Sequence, residues 1–376
     1  MAKRGHNEGS IYQRKDGRWV AVLTVKDLAG RANRVSRYAD TRTRARAALR
    51  ELQRQQEAGV DLTAGNPTLG AYLMQWLTAV AGTVKPRVWD SYESIIRVRV
   101  IPRIGGLKLS QVTPLVLQGL YAALAADGLA PRSVVNTHRL LHRALGQAVR
   151  WGLLPRNACD GAEPPRPGRP VMKTWGAEQV AAFLAATREH RHHALYVLAV
   201  TTGMRLGELL ALGWDAVDFE YGRVHVVRSL QRRTGVGLVF GDPKTDGSRR
   251  TVFFSEQARA ALREQRARQL EERLLAGPLW QEHGLVFARP DGLPHDPGTV
   301  SQSFGRAART AGIPHIRFHD LRHTAATLLL GAGTHPKIVA DLLGHSTVAL
   351  TLNVYSHVTP AMHASAAATM DALLGS

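Results

Sequence analysis

The sequence is poor in the residues that mark secreted, membrane-bound or nucleotide-loaded proteins. It has one cysteine, Cys159, so no internal disulfide can form and nothing points to an oxidising compartment. Cys159 stands in a Pro/Gly-rich stretch without an activating neighbour and reads as a bystander thiol. No apolar run approaches the roughly 18 residues of a membrane span, and the opening MAKRGHNEGS lacks the apolar core of an export signal. A soluble, cytoplasmic protein with no membrane partner is expected. There is no GxxxxGK[ST] loop and no GxGxxG turn, which leaves nucleotide binding in a glycine-rich cradle without support. No cluster of Asp and Glu suggests a two-metal nuclease.

Acidic residues are also in short supply: 30 Asp+Glu stand against 49 Lys+Arg, a net charge of +19. An excess of that size points to a polyanionic partner, most simply nucleic acid, and so to a place on the nucleoid when bound. Only eight of the basic residues are lysines. An arginine excess also follows from GC-rich coding, so not every Arg is read as a contact. With 376 residues and 44% hydrophobic content, the chain can bury two or three cores.

Three segments follow one another, and the fold class expected is multidomain and mainly α. Residues 1–62 form a small basic unit, expected to bind DNA as an arm. GSIYQRKDGRWVAVLTV reads as two strands turning at Asp16-Gly17, RANRVSRYAD as a third, and TRTRARAALRELQRQQEAG as a helix capped by Thr41 or Thr43 and stopped at Gly59. Residues 67–158 read as a bundle of four helices, with Pro86 and Pro114 in first turns. Residues 159–173, CDGAEPPRPGRPVMK, read as a stiff linker without regular structure. Residues 174–376 read as a mostly α domain with a small antiparallel sheet, GRVHVVRSL and RRTVFFS being its strands and GDPKTDGS lying between them. The tail TPAMHASAAATMDALLGS is apolar at helical spacing, fit to pack on its own domain or on a neighbouring subunit.

The chemistry-bearing residues cluster in the last segment. TTGMRLGELLALGW places Arg205 where a helix begins after a glycine, with Glu208 three residues on and able to hold its guanidinium. FHDLRHTAATLLL places His319 and Arg322 on one helical face at the mouth of an apolar helix. LLGHSTVALTLNVYSHV places His345 just past an apolar helix and Tyr355 ten residues later, and Lys244 lies in the turn between strands.

Taken in that order, Arg205, Lys244, His319-x-x-Arg322, His345 and Tyr355 resemble the tyrosine recombinase (phage-type integrase) family, through TGMRLGEL, HDLRHTAAT, LLGH and YSH. The resemblance implies an arm-type DNA-binding domain at 1–62, a helical, SAM-like core-binding domain at 67–158 and a catalytic domain at 174–376. The last two would grip duplex DNA as a C-shaped clamp. It implies an integrase that inserts or excises a phage or other mobile element by metal-independent, site-specific recombination without a cofactor. Tyr355 would form a covalent 3′-phosphotyrosine, His319 would take its proton, and Arg205, Arg322 and His345 would hold the phosphate oxygens. Lys244 would protonate the leaving 5′-oxygen, and Glu208 and Asp320 would support the site from behind. Implied partners are double-stranded attachment sites, a homotetramer on DNA, and an excision factor or host DNA-bending protein.

Two rival readings begin from the same residues. His319 and His323 have the i, i+4 spacing of a zinc-binding helix, with His345 open to recruitment as a third ligand, but that motif places Glu after the first His, where Asp320 stands, and no adjacent third ligand is evident. A DNA-binding regulator without catalysis would not need the complete residue set.

Overall fold

In the computed structural model, the described residues are 9–26, 32–63, 65–168, 172–233, 235–242, 249–344, 348, 368, 370–372, 374 and 375. The chain divides into two compact units, Met1–Arg169 and Pro170–Ser376.

The first unit opens on strands β1 (Ser10–Gln13), β2 (Trp19–Lys26) and β3 (Ala32–Ala39), an antiparallel sheet in that order. Gln13 pairs with Trp19 across the expected Asp16-Gly17 turn, which Arg14 N–H closes onto the Arg18 carbonyl at 2.9 Å. Helix α1 (Arg42–Glu57) covers one face. The Thr41 side chain accepts from Arg44 N–H, which fixes the cap that the sequence left open between two threonines. Leu23, Val25 and Leu52 make this small core.

The second layer of this unit is the expected bundle: α2 (Leu69–Ala79), α3 (Pro86–Ile95), α4 (Ile101–Ile104), α5 (Pro114–Ala126) and α6 (Pro131–Arg150). α3 and α4 are one rod joined by a π turn over Ile96–Val100. Pro102 is the cause: it has no N–H to give the Val98 carbonyl and its ring crowds that carbonyl, so the backbone widens for a turn. Arg103 Nη1 serves the Val98 and Arg99 carbonyls instead, at 3.4 and 3.1 Å. Residues 1–62 and 67–158 lie in the same compact unit, with Asp61 N–H donating to the Gly152 carbonyl at 2.8 Å. Residues 158–161 correct one expectation. They form a short 3₁₀ turn held by the Asn157 side chain, and Cys159 and Ala162 join the bundle core, so regular structure runs into the segment read as a bare linker. Burial pushes the Cys159 thiol up to about 12, which leaves it un-ionised at neutral pH.

The second unit is built on α8 (His193–Thr202), preceded by α7 (Ala177–Ala186). HALYVLAVTT has no polar stripe, and a helix apolar all round belongs inside; nine of its ten residues are buried. Trp175, Phe183, Phe304 and Phe318 form an aromatic cluster with its Tyr196, ring centroids lying 4.9–6.4 Å apart. There follow α9 (Leu206–Leu210), strands β4 (Val217–Asp218), β5 (Arg223–Val226), β6 (Ser229–Arg233), β7 (Gly237–Gly241) and β8 (Arg250–Phe253), and helices α10 (Glu256–Ala276), α11 (Pro297–Thr310), α12 (Asp320–Gly331) and α13 (Pro336–Leu343). The strand expected at GRVHVVRSL is two strands: β5 lies between β4 and β8, while β6 pairs with β7, which the sequence reading missed. No described helix is long and apolar enough to cross a membrane.

Two histidines beside α8 make stability depend on pH. His192 and His295 are buried with rings 4.8 Å apart. Burial, then the mutual charge and nearby Arg191 and Arg268, push His192 down to about 3, and burial with Arg191 pushes His295 down to about 4. Both are therefore neutral when folded, while the unfolded chain binds protons below about 6.5. Stability is complete above that value and is lost as pH falls through it, by about 1.4 kcal/mol per histidine between pH 7.5 and 5.5. Urea unfolding of the full chain at the two pH values will show a loss at least this large, since His138, His190, His193, His319 and His323 are shifted down as well, and His295→Leu will reduce it by about 1.4 kcal/mol.

Candidate active site

α8 ends at Gly203, in the left-handed region at φ 63°, where a Cβ would come within 2.4 Å of Leu343. Only glycine meets both demands. The chain then turns back through Arg205, whose extended backbone caps α9. Glu208, one turn on, accepts from the Arg205 backbone N–H at 3.0 Å and from Nη1 at 2.6 Å, the pairing that the spacing predicted. Glu208 is also held from a second direction: Arg250 Nη2 donates at 2.9 Å to Oε2, the oxygen that also accepts the Arg205 backbone N–H. Burial alone would raise the Glu208 carboxyl. The Arg250 bond and charge, with the Arg205 amide and guanidinium, outweigh it and hold the group below the usual carboxylate range.

The arginines converge on the C-terminal end of α13. Arg250 Nε donates to the Leu342 carbonyl at 2.8 Å, Arg322 Nη2 to the Leu343 carbonyl, and Arg205 Nη2 to the Gly344 carbonyl at 3.4 Å. Carbonyls at a helix end lack partners within the helix and carry its negative pole, so they suit cations. Three consecutive carbonyls thus receive three guanidiniums, immediately before His345. Gly344 makes the approach possible: at φ 64°, a Cβ there would lie 3.1 Å from Arg250 Nη1.

Arg322 rises from the first turn of α12, 3% exposed, and its Nη1 also donates to the Gly203 carbonyl at 2.9 Å. It therefore ties the ends of α8 and α13 together. The Arg205 side chain is more open, at 31% exposed. His319 stands just ahead of α12 and keeps contact with solvent. The protein around its ring, then the charges of His323, Arg322 and Arg205, push it down to about 4, so at neutral pH the imidazole is free of a proton and able to accept one. Asp320 fixes this turn, accepting from Arg317 N–H at 2.8 Å and from the Arg317 guanidinium at 3.1 and 2.8 Å. The structure thus gathers Arg205, Glu208 and Arg322 at one place, with His319 one helical turn from Arg322 and Asp320 bracing it. Lys244, His345 and Tyr355 lie outside the described residues.

Residues 173–362 match the Phage integrase family. The chain belongs to the phage integrase family. It is a tyrosine-type site-specific recombinase, an enzyme that cleaves and rejoins DNA strands. Residues 68–125 match the family's N-terminal SAM-like domain. The "Tyrosine recombinase XerC-like" protein of Caldanaerobacter subterraneus subsp. tengcongensis is 31% identical, over 99% of this chain and 100% of the relative. The fold agrees with that of the Tn1549 transposon integrase in complex with a circular intermediate DNA, with a TM-score of 0.70 and 25% identity over 81% of this chain and 99% of the other. It also agrees with a lambda integrase tetramer bound to a Holliday junction, with a TM-score of 0.58 and 18% identity over 94% and 96% of the two chains.

For this phage integrase the sequence reading missed Arg250. A signal was present: in β8 the buried face carries Arg250 and Val252 while Thr251 and Phe253 point outward, so a charged residue occupies an inward register position. Among the described residues no group of three or more His, Cys, Asp or Glu comes together, and His345 lies outside them. His319 and His323 pack edge to face, with ring centroids 5.2 Å apart.

Proposed function

We propose that this integrase moves a phage or other mobile element by breaking one DNA phosphodiester at a time with Tyr355. The phenol oxygen attacks phosphorus, the bond to the 5′-oxygen breaks, and the 3′-phosphate stays on the enzyme as an ester. His319 takes the phenol proton and Lys244 supplies one to the departing 5′-oxygen, so the step is balanced and its reversal by a partner strand's 5′-hydroxyl reseals the DNA. Arg205, Arg322 and His345 hold the non-bridging oxygens, where an arginine fork fits two at a time. Glu208 and Asp320 orient Arg205 and His319. No cofactor enters the step.

The observation that carries this reading is the triple clasp on the Leu342, Leu343 and Gly344 carbonyls. It holds the segment leading to His345 against the same Arg205 and Arg322 that would receive the phosphate. Residues 1–62 serve as the arm-binding domain, 67–158 as the core-binding domain, and 174–376 as the catalytic domain joined through 159–173. The substrate is a pair of duplex attachment sites, bridged by four copies of the chain as the lambda enzyme's tetramer is on its junction. An excision factor or host bending protein sets direction.

The test is a nicked duplex drawn from the DNA flanking the gene, incubated with the protein in excess chelator. A covalent protein–DNA band that survives denaturation is expected. Its loss to chelator would favour a metal enzyme, and its absence under all conditions a non-catalytic binder.

A further inference from the structure

α10 buries only one side, through Ala258, Ala261, Leu262, Gln265 and Gln269. The opposite side presents Ala260, Arg263, Glu264, Ala267, Leu270, Glu271 and Leu274, all exposed, at the three- and four-residue steps that make one stripe. Leu270, Leu274 and Leu275 are 55%, 83% and 87% exposed, and Leu279 just beyond the helix is 76% exposed. Four of the six strongly exposed leucines among the described residues therefore sit at one helix end. Such a patch calls for cover. It is not a surface for DNA: on a chain of net charge +19, this stripe carries one cation, Arg263, against two carboxylates.

We propose that a second copy of this chain covers the patch, the two α10 helices lying antiparallel about a two-fold axis through Ala267. The pattern on the stripe sets this register. Ala260 then lies opposite the partner's Leu274, so a large side chain enters the space above a small one, and the contact occurs twice, as two-fold symmetry requires. Arg263 lies opposite the partner's Glu271. Neither forms an ion pair within its own chain among the described residues, whereas Glu264 is drawn away to Arg188 at 2.6 Å. The charges left over are thus one of each sign, placed to meet across the axis. Ala267 meets its own counterpart, where the lack of a long side chain lets the helices approach. One helix per copy makes a small interface, at the weak and transient end of the range, suited to pairs that form before DNA is engaged. The pairing does not rest on the assignment of Tyr355 or of any catalytic residue.

Sedimentation equilibrium of the full chain without DNA tests the proposal. A reversible monomer–dimer equilibrium is expected. Arg263→Glu or Glu271→Arg alone weakens it at least tenfold, about 1.4 kcal/mol, and the two together restore it. Leu274→Gln also weakens it, and Ala267→Cys gives a disulfide-linked dimer on oxidation, because the native Cys159 is buried at 2% exposure. All four positions face solvent, so each variant keeps the wild-type circular dichroism. A chain that stays monomeric at every concentration would overturn the proposal. So would a dimer indifferent to the charge changes, or one lost on deleting residues 361–376 while the α10 variants keep it; that last result would place the contact on the tail.

Discussion

Replacing Arg205 with lysine will slow strand cleavage by about 100- to 1,000-fold, the effect of losing one oriented donor to a developing oxyanion. Lysine keeps the charge but not the planar fork, so it meets one phosphate oxygen where arginine meets two. Arg205 suits this test because its side chain is 31% exposed and the α13 end remains tied by Arg250 and Arg322. Folding and DNA binding are therefore expected to survive, and the defect to appear in the single-turnover rate of adduct formation on a nicked duplex. Lysine at 322 will slow the same step as much. Because both arginines serve one phosphate, the double variant will be less impaired than the product of the two defects. A single variant with an undiminished rate would remove that arginine from the phosphate.

Glu208→Ala will cost the catalytic unit about 3–5 kcal/mol, because it strands buried positive charge. Arg250 is 8% exposed, and Glu208 is its carboxylate partner at 2.9 Å. Without Glu208 the Arg205 backbone N–H also loses its acceptor. Thermal unfolding should fall by on the order of 10 °C. Removing both members of the buried pair, as Glu208→Leu with Arg250→Met, should recover much of the loss, since the uncompensated cation goes with its partner. If Glu208→Ala melts with the wild type, the network does not carry the weight given to it.

The parts of this molecule that announce themselves in sequence are those governed by a few neighbouring residues. The Asp16-Gly17 turn, the helix cap expected at Thr41 or Thr43 and the turn at Gly203 ahead of Arg205 are each local, and each stands where expected. The Arg205–Glu208 bond is local too, since three residues along a helix are spatial neighbours. What sequence hid is set by partners far along the chain. Val226 and Ser229 belong to different sheets, and the break between them is stabilised by Arg228, which donates to the Ala211 carbonyl at 2.7 Å and lies over the Phe240 ring. Arg250 finds Glu208 across 42 positions and Leu342 across 92, so no local pattern reveals it as part of the site. The π turn at Ile96–Val100 could have been suspected from Pro102, but proline predicts a disturbance without its form. Lys244, His345 and Tyr355 were named from the resemblance of their sequence boxes, and their roles rest on the chemistry that the boxes imply.

The most direct test of the account is to trap the covalent complex, digest the protein and identify by mass spectrometry the residue that carries the nucleotide. The account predicts a 3′-phosphate ester on Tyr355, with a free 5′-hydroxyl on the other DNA end. It also predicts that Tyr355→Phe binds the same duplex and yields no adduct. A nucleotide on any other side chain, or an undiminished adduct from Tyr355→Phe, would contradict it.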